Sequence, residues 1–159
     1  MKTLGRFDLL NRLYFVTVVT YQREEMLLTN VQLFRDCWKQ NHPIAWVILP
    51  DHFHAIVTID NQSISDFMHN FKITYSRRYR DAYRKGRIWQ NRFWDHIIRD
   101  QDDFNRHVDY IHFNPVRHKL VTDPFEYEHS SLTEYYKAGY YERDWGVMEP
   151  INIEGNFGE

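Results

Sequence analysis

Two histidines separated by one apolar residue, His52-Phe53-His54, open a β-branched run. Side chains on a strand alternate faces, so both imidazoles project from one side, about 6–7 Å apart. Two imidazoles at that spacing can reach a single divalent cation, and the same pair also fits two hydrogen-bonded histidines on a half-buried face. A cation held by two imidazoles needs oxygen donors as well. A helix beginning at Asp100 or Asp102 and running to Asn114 can supply one. Phe104, Val108 and Ile111 would form its buried stripe, while Tyr110 and Asn114, four residues apart, share another face about 100° away. Such a face presents a phenol and an amide oxygen, one turn apart, to a metal-bound phosphate. Asn114 would then be an oxygen ligand and Tyr110 a nucleophile toward phosphorus. The spacing equally accommodates a boundary tyrosine with its hydroxyl in water and an Asn114 that only stops the helix before Pro115. A phenol with a pKa near about 10 needs assistance at neutral pH. His107 and His112 are close enough in sequence to be candidate bases, or to be core or solvated histidines. His96 reads as structural.

The charge distribution points to a polyanion. The net charge of −2 divides into +5 over residues 1–121 and −7 over residues 122–159. Within residues 71–92, Lys72, Arg77, Arg78, Arg80, Arg84, Lys85, Arg87 and Arg92 face only Asp81, a net +7. A local field of that size attracts phosphates whatever the global balance, although charge runs are also common on solvated helix faces. Tyr75, Tyr79 and Tyr83 recur every fourth residue beside these cations. Such a stripe is either a stacking surface for unpaired bases or the core side of the helix, and on spacing alone the core is favoured. The acidic segment 122–159 either packs on the sheet or covers the site that would take such a polyanion.

Three function classes fall away on composition. Cys37 is the single cysteine of the 159 residues, which excludes an internal disulfide and a cysteine-based zinc cluster. No apolar run approaches the ~18–20 residues that span a bilayer. The start, residues 1–8, lacks an apolar signal core, so a cytoplasmic location is expected. The length suits one domain, and eleven Tyr, eleven Phe and five Trp provide a large aromatic core.

The elements that must position the histidines and the tyrosine follow from patterning. Strands are expected at residues 14–20, 44–49, 52–59 and 93–99, and helices at residues 29–40, 63–85, 100–114 and, shorter, 131–137. Asn41-His42-Pro43 stops the first helix and Gly86 the second. The two-residue link Pro50-Asp51 makes the second and third strands an antiparallel hairpin. The order β-α-β-β-α-β is the split βαβ, ferredoxin-like arrangement. It is an α+β fold with an antiparallel sheet of four to five strands, helices on one face, and an added helix carrying Tyr110. Residues 1–146 read as one domain and residues 147–159 as a loose tail.

Taken together in order, these segments resemble the single-tyrosine transposases of the HUH nuclease superfamily, and most closely the REP-associated tyrosine transposases. The matching stretches are Tyr14-Phe15-Val16-Thr17, residues 47–57 around Pro50-Asp51-His52-Phe53-His54, residues 89–96, and Tyr110-Ile111-His112-Phe113-Asn114-Pro115-Val116-Arg117. Ser130-Ser131 and Asp144-Trp145-Gly146 extend the likeness, which spans about residues 12–146. The resemblance implies His52, His54 and Asn114 as ligands of Mg²⁺ or Mn²⁺ and Tyr110 as the nucleophile. It implies cleavage of single-stranded DNA at palindromic hairpins or insertion-sequence ends, with a 5′-phosphotyrosine link, a free 3′-OH and no nucleotide cofactor. Lys72, Arg77, Arg78, Arg80, Arg84 and Arg92 would hold DNA phosphates. Members act as monomers or homodimers. His118-Lys119 replace the small residues usual after the catalytic helix. The alternatives are a domesticated hairpin binder that no longer cuts, and an RNA-recognition domain. The latter needs exposed aromatics on the central strands, where this chain has histidines.

Overall fold

The structure is a computed structural model that describes residues 12–38, 42–147 and 153–159. Expectations for residues 1–11, for the first helix's end at residues 39–41 and for residues 148–152 of the tail lie outside the described residues. Four strands, β1 (Arg12–Val19), β2 (Ala45–Ile48), β3 (His52–Ile59) and β4 (Trp94–Ile97), form one antiparallel sheet in the order β2-β3-β1-β4. This is the ferredoxin-like order expected from the element sequence.

The sheet is apolar on both sides because both are covered. Val16, Val18, Phe53, Ala55 and Val57 pack against α1 (Val31–Trp38) and α2 (Ile64–Ala82) through Phe34, Trp38, Phe67, Met68, Phe71 and Tyr75. Their alternate neighbours Phe15, Val47 and Ile56 face α3 (Gln101–Arg117) and α4 (Leu132–Lys137) through Phe104, Val108, Ile111, Leu132 and Tyr135. The two split-βαβ helices therefore share one face, and the added helix lies on the other. Ser63 caps α2 by accepting from the Asp66 N–H, and Asp100 caps α3 by accepting from the Asp103 N–H.

Two differences from the sequence reading have local causes. Pro115 does not end α3, which continues to Arg117. Its ring removes one donor, but the His118 N–H still reaches the Asn114 carbonyl at 2.9 Å, and Phe113, Asn114 and Pro115 are buried. Tertiary packing thus overrides the extended bias of the residue before proline. In the end segment, expected to be loose, Ile153 and Phe157 are buried in the α3-side core while residues 154–156 are exposed. Two apolar residues four apart in an otherwise polar stretch carry no periodicity signal.

Among the described residues, no helix is long and apolar enough to cross a membrane. Phe53 sits at the centre of the α1/α2 core, with Phe34, Trp38, Phe71 and Trp89 rings at 4.8, 5.8, 5.5 and 5.9 Å. Phe53→Ala is expected to lower unfolding free energy by about 3–5 kcal/mol, read from urea titration of near-UV circular dichroism.

Candidate metal and nucleophile site

β3 and α3 bring the sequence-selected residues together. His52 and His54 lie on the sheet face opposite Phe53, and Tyr110 and Asn114 come down on that face from α3. The His52 and His54 rings are 5.0 Å apart, and the Tyr110 ring is 5.2 Å from that of His54. All four residues are at most 2% exposed.

Each imidazole is oriented from behind. The Thr17 hydroxyl donates its only proton to the Phe157 carbonyl at 2.6 Å, so at 2.8 Å it accepts from His54 Nδ1–H. Asp51 accepts from His52 Nδ1–H at 2.6 Å. Both Nε2 atoms consequently face the same central point, the arrangement by which outer partners fix metal-binding tautomers. Register makes this possible, since Thr17 pairs with His54 across β1 and β3.

That central point is shared with Glu159, which the sequence reading left in the tail. Its Oε1 lies 2.5 Å from His54 Nε2, 3.3 Å from His52 Nε2 and 2.9 Å from Asn114 Nδ2. Its Oε2 meets His118 Nε2 at 2.9 Å, with an Arg117 nitrogen at 4.0 Å. Phe157, two residues earlier, stacks on the Tyr110 ring at 3.8 Å and 9°. Gly158 has φ +81°, and a Cβ there would overlap the Trp94 indole, so glycine allows this close approach. The only signal for Thr17 and Asp51 was adjacency or pairing to the histidines, and for Glu159 and Phe157 there was none.

Burial governs the protonation states. It lowers His54 to about 4. Burial would lower His52 too, but hydrogen bonds to Asp51 and Glu159 outweigh it and raise the ring above its ordinary value. Burial, reinforced by the Glu159 charge, holds the Tyr110 phenol far above its usual value, and the Arg117 guanidinium, 5.1 Å from the ring, works the other way. The Glu159 carboxyl is held far below its ordinary range because its histidine contacts outweigh its burial. Two of the site's buried polar atoms, the Tyr110 hydroxyl and Asn114 Oδ1, have no hydrogen-bond partner among the described residues.

The other histidines of α3 are occupied elsewhere. His107 Nδ1–H donates to the Asp103 carbonyl at 2.7 Å, and burial lowers it to about 4. His112 is fully buried, which lowers it to about 3. The Ser131 hydroxyl lies 2.7 Å from its Nε2, and its Nδ1 meets the Tyr141 hydroxyl at 2.8 Å. Tyr141 in turn donates to Asp109 at 3.0 Å. Among the described residues neither histidine hydrogen-bonds the Tyr110 hydroxyl, and both hold α3 in place. His96, Asp103 and His107 form a second ionisable group. Arg99 and Arg106 also donate to or pair with both Asp103 oxygens, so this group clamps α3 to β4. Burial would raise Asp103, but the His96 hydrogen bond and the Arg99 N–H outweigh it and hold the carboxyl at about 2.

The basic residues lie on the other side of the sheet. Lys72, Arg77 and Arg80 line a cleft of about 450 Å³ between α2 and residues 87–91, together with Arg87. Arg78 lines a separate hollow with Arg35, Arg84 pairs with Glu24, and Arg92 is exposed. Tyr75 and Tyr79 are core residues at 1% and 6% exposure, whereas Tyr83 is 45% exposed at the helix end.

With this geometry in hand, comparison with known proteins is decisive. Residues 13–113 match the family model described as "Transposase IS200 like". A REP-associated tyrosine transposase of Escherichia coli is 32% identical, covering 91% of each chain. A Haemophilus influenzae protein assigned by name to the same group is 35% identical over 91% of this chain and 93% of its own. The chain belongs to the REP-associated branch of the IS200-like transposases. A solved REP-associated tyrosine transposase bound to a REP hairpin superposes on this transposase with TM-score 0.76 and 29% identity, covering 98% of this chain and 99% of that one.

The buried Asp109 gives this transposase a pH signature. Burial raises its carboxyl to about 6, against hydrogen-bonding by Tyr141. A carboxyl whose folded pKa is raised stabilises fully below its unfolded value, and that stability is lost as pH climbs through the folded one. Wild type is therefore expected to lose stability relative to Asp109→Asn between about pH 4 and 6, with a gap of about 3 kcal/mol above pH 7. Denaturant titrations of both proteins across that range measure it.

Proposed function

We propose that this transposase is a metal-dependent single-strand DNA endonuclease and strand transferase acting at palindromic, REP-like hairpins or insertion-sequence ends. The observation that carries the reading is the convergence of His52, His54 and Asn114 beside the Tyr110 hydroxyl. The orphaned Asn114 Oδ1 and Tyr110 hydroxyl, both buried, fit a site built to meet a cation and a phosphate.

His52, His54 and Asn114 would hold Mg²⁺ or Mn²⁺, which when bound polarises the scissile phosphate and offsets charge developing on its oxygens. Asp51 and Thr17 keep both imidazoles aimed at that point. The Tyr110 oxygen attacks phosphorus as its proton passes to water. The bond to the upstream 3′ oxygen breaks, and that oxygen takes up a proton to give the free 3′-OH. The product is a 5′-phosphotyrosine on Tyr110, and attack by a 3′-OH reverses it. Arg117 over the Tyr110 ring favours the phenolate once the negative Glu159 is no longer beside it. Tyr110 is 1% exposed beneath Phe157, so a DNA strand reaches the hydroxyl after residues 153–159 move aside.

The hairpin stem suits the cleft of Lys72, Arg77, Arg80 and Arg87, whose cations would contact phosphates without reading sequence. Because the cleft and the histidines occupy opposite sheet faces, bound DNA passes around the sheet between them. Both proposed sites come from one chain, so a monomer suffices for cutting.

The test is incubation with Mn²⁺ and 5′- or 3′-labelled hairpin oligonucleotides, followed by mass spectrometry of the tryptic peptide containing Tyr110. A nucleotide adduct on Tyr110 is expected. Tyr110→Phe is expected to lose all covalent product while hairpin affinity stays within about twofold. Undiminished adduct in that variant overturns the nucleophile, and no adduct in wild type favours the non-cutting hairpin binder.

A second expectation concerns the cleft. Arg77→Glu combined with Arg80→Glu is expected to weaken hairpin binding at least about tenfold and to flatten the salt dependence of log Kd by about two ions. Fluorescence anisotropy from 50 to 200 mM salt gives both numbers.

A further inference from the structure

We propose that Glu159 is an additional ligand of the cation in the DNA-free protein, a carboxylate that residues 153–159 deliver to the His52/His54/Asn114 site. This inference rests on the metal-dependent reading above and adds a residue to it.

Thr17 spends its single hydroxyl proton on the Phe157 carbonyl, so His54 carries its proton on Nδ1 and turns a lone pair on Nε2 inward. Asp51 accepts from His52 Nδ1–H, so a neutral His52 does the same. Glu159 Oε1, itself an acceptor, sits 2.5 and 3.3 Å from those two Nε2 atoms. These three ligand atoms lie within 4.8 Å of one another, close enough to share one divalent ion. Asn114 joins them, its Nδ2–H 2.9 Å from the same Glu159 oxygen. The other end of that amide, Oδ1, is buried without a partner. An amide oxygen is a better cation ligand than an amide nitrogen, and a flipped carboxamide would offer it.

The spacing agrees with coordination. Neighbouring ligands on an octahedral ion with arms of about 2.1 Å are about 3 Å apart. The separations of Glu159 Oε1 from its three neighbours, 2.5 to 3.3 Å, bracket that value. The donor set of two imidazole nitrogens, an amide oxygen and a carboxylate suits a borderline divalent ion such as Mn²⁺. His118 and Arg117 hold the remaining Glu159 oxygen and so fix the carboxylate's aim. Phe157 in the α3-side core and the Gly158 turn against Trp94 anchor the segment that carries it.

The experiment measures Mn²⁺ binding to the full chain without DNA, by electron paramagnetic resonance of free Mn²⁺ and by calorimetry. Wild type, Glu159→Gln and His52→Ala are compared, with near-UV circular dichroism checking that each is folded. Glu159→Gln keeps the size and an oxygen but removes the charge, and it is expected to raise Kd for Mn²⁺ at least about tenfold. Unchanged or tighter Mn²⁺ binding in Glu159→Gln overturns the inference. In that case the carboxylate merely fills the ion's place. If wild type and His52→Ala bind Mn²⁺ equally weakly, the metal-dependent reading fails and the Glu159 role fails with it. If His52→Ala alone loses binding, that reading stands and only the Glu159 role falls.

Discussion

The antiparallel pairing of β1 with β3 is the constraint from which the candidate site follows. It sets Thr17 across from His54 and Val19 across from His52, in a sheet whose side-chain period is two. A slip of one residue would turn both imidazoles into the α1/α2 core and Phe53 toward α3, burying two polar rings without partners. The aromatic packing around Phe53 on one side and the Thr17 hydrogen bond on the other therefore select the same register. Stability and chemistry are coupled through this strand pair.

The second requirement is the roll of α3. From His107 to Pro115 every residue is buried, because the sheet covers one side of the helix and residues 127–145, with Ile153 and Phe157, cover much of the rest. A helix enclosed in this way cannot rely on an exposed polar stripe to fix its orientation. Polar anchors do it instead: Ser131, His112, Tyr141 and Asp109 form one hydrogen-bonded chain, and His96 with Asp103 pins the helix start. With the roll fixed, Tyr110 and Asn114 face the histidines. The same enclosure dries the site, which explains the depressed His54 imidazole and the elevated phenol there. A dry pocket strengthens any cation or anion interaction made inside it.

The sheet also separates two tasks. The proposed phosphate-gripping cleft is built on α2, where Tyr75 and Tyr79 are core residues rather than stacking platforms. The proposed chemistry is built on α3. Electrostatic grip tolerates solvent and loose geometry, whereas phosphoryl transfer needs buried, pre-aimed donors. Placing them on opposite faces lets each environment keep its own dielectric. It also leaves the acidic end segment free to approach the histidines, away from the basic cleft.

The sequence alone determined the element order, the α+β class, and the pairing of a His-x-His strand with a Tyr-x-x-x-Asn helix. Those signals are local: period-two and period-four patterns, caps, and a two-residue hairpin link are fixed by neighbouring residues. Its ordering of motifs also carried the family. Tertiary structure decided what local patterns do not encode. It continued α3 through Pro115, since packing outweighed one lost hydrogen bond, and it made His107 and His112 anchors by giving their nitrogens other partners. It also brought Glu159 and Phe157 into the site across more than forty residues of chain. A segment with two isolated apolar residues has no periodicity to betray its destination, and only the shape and charge of the cavity it meets could select it.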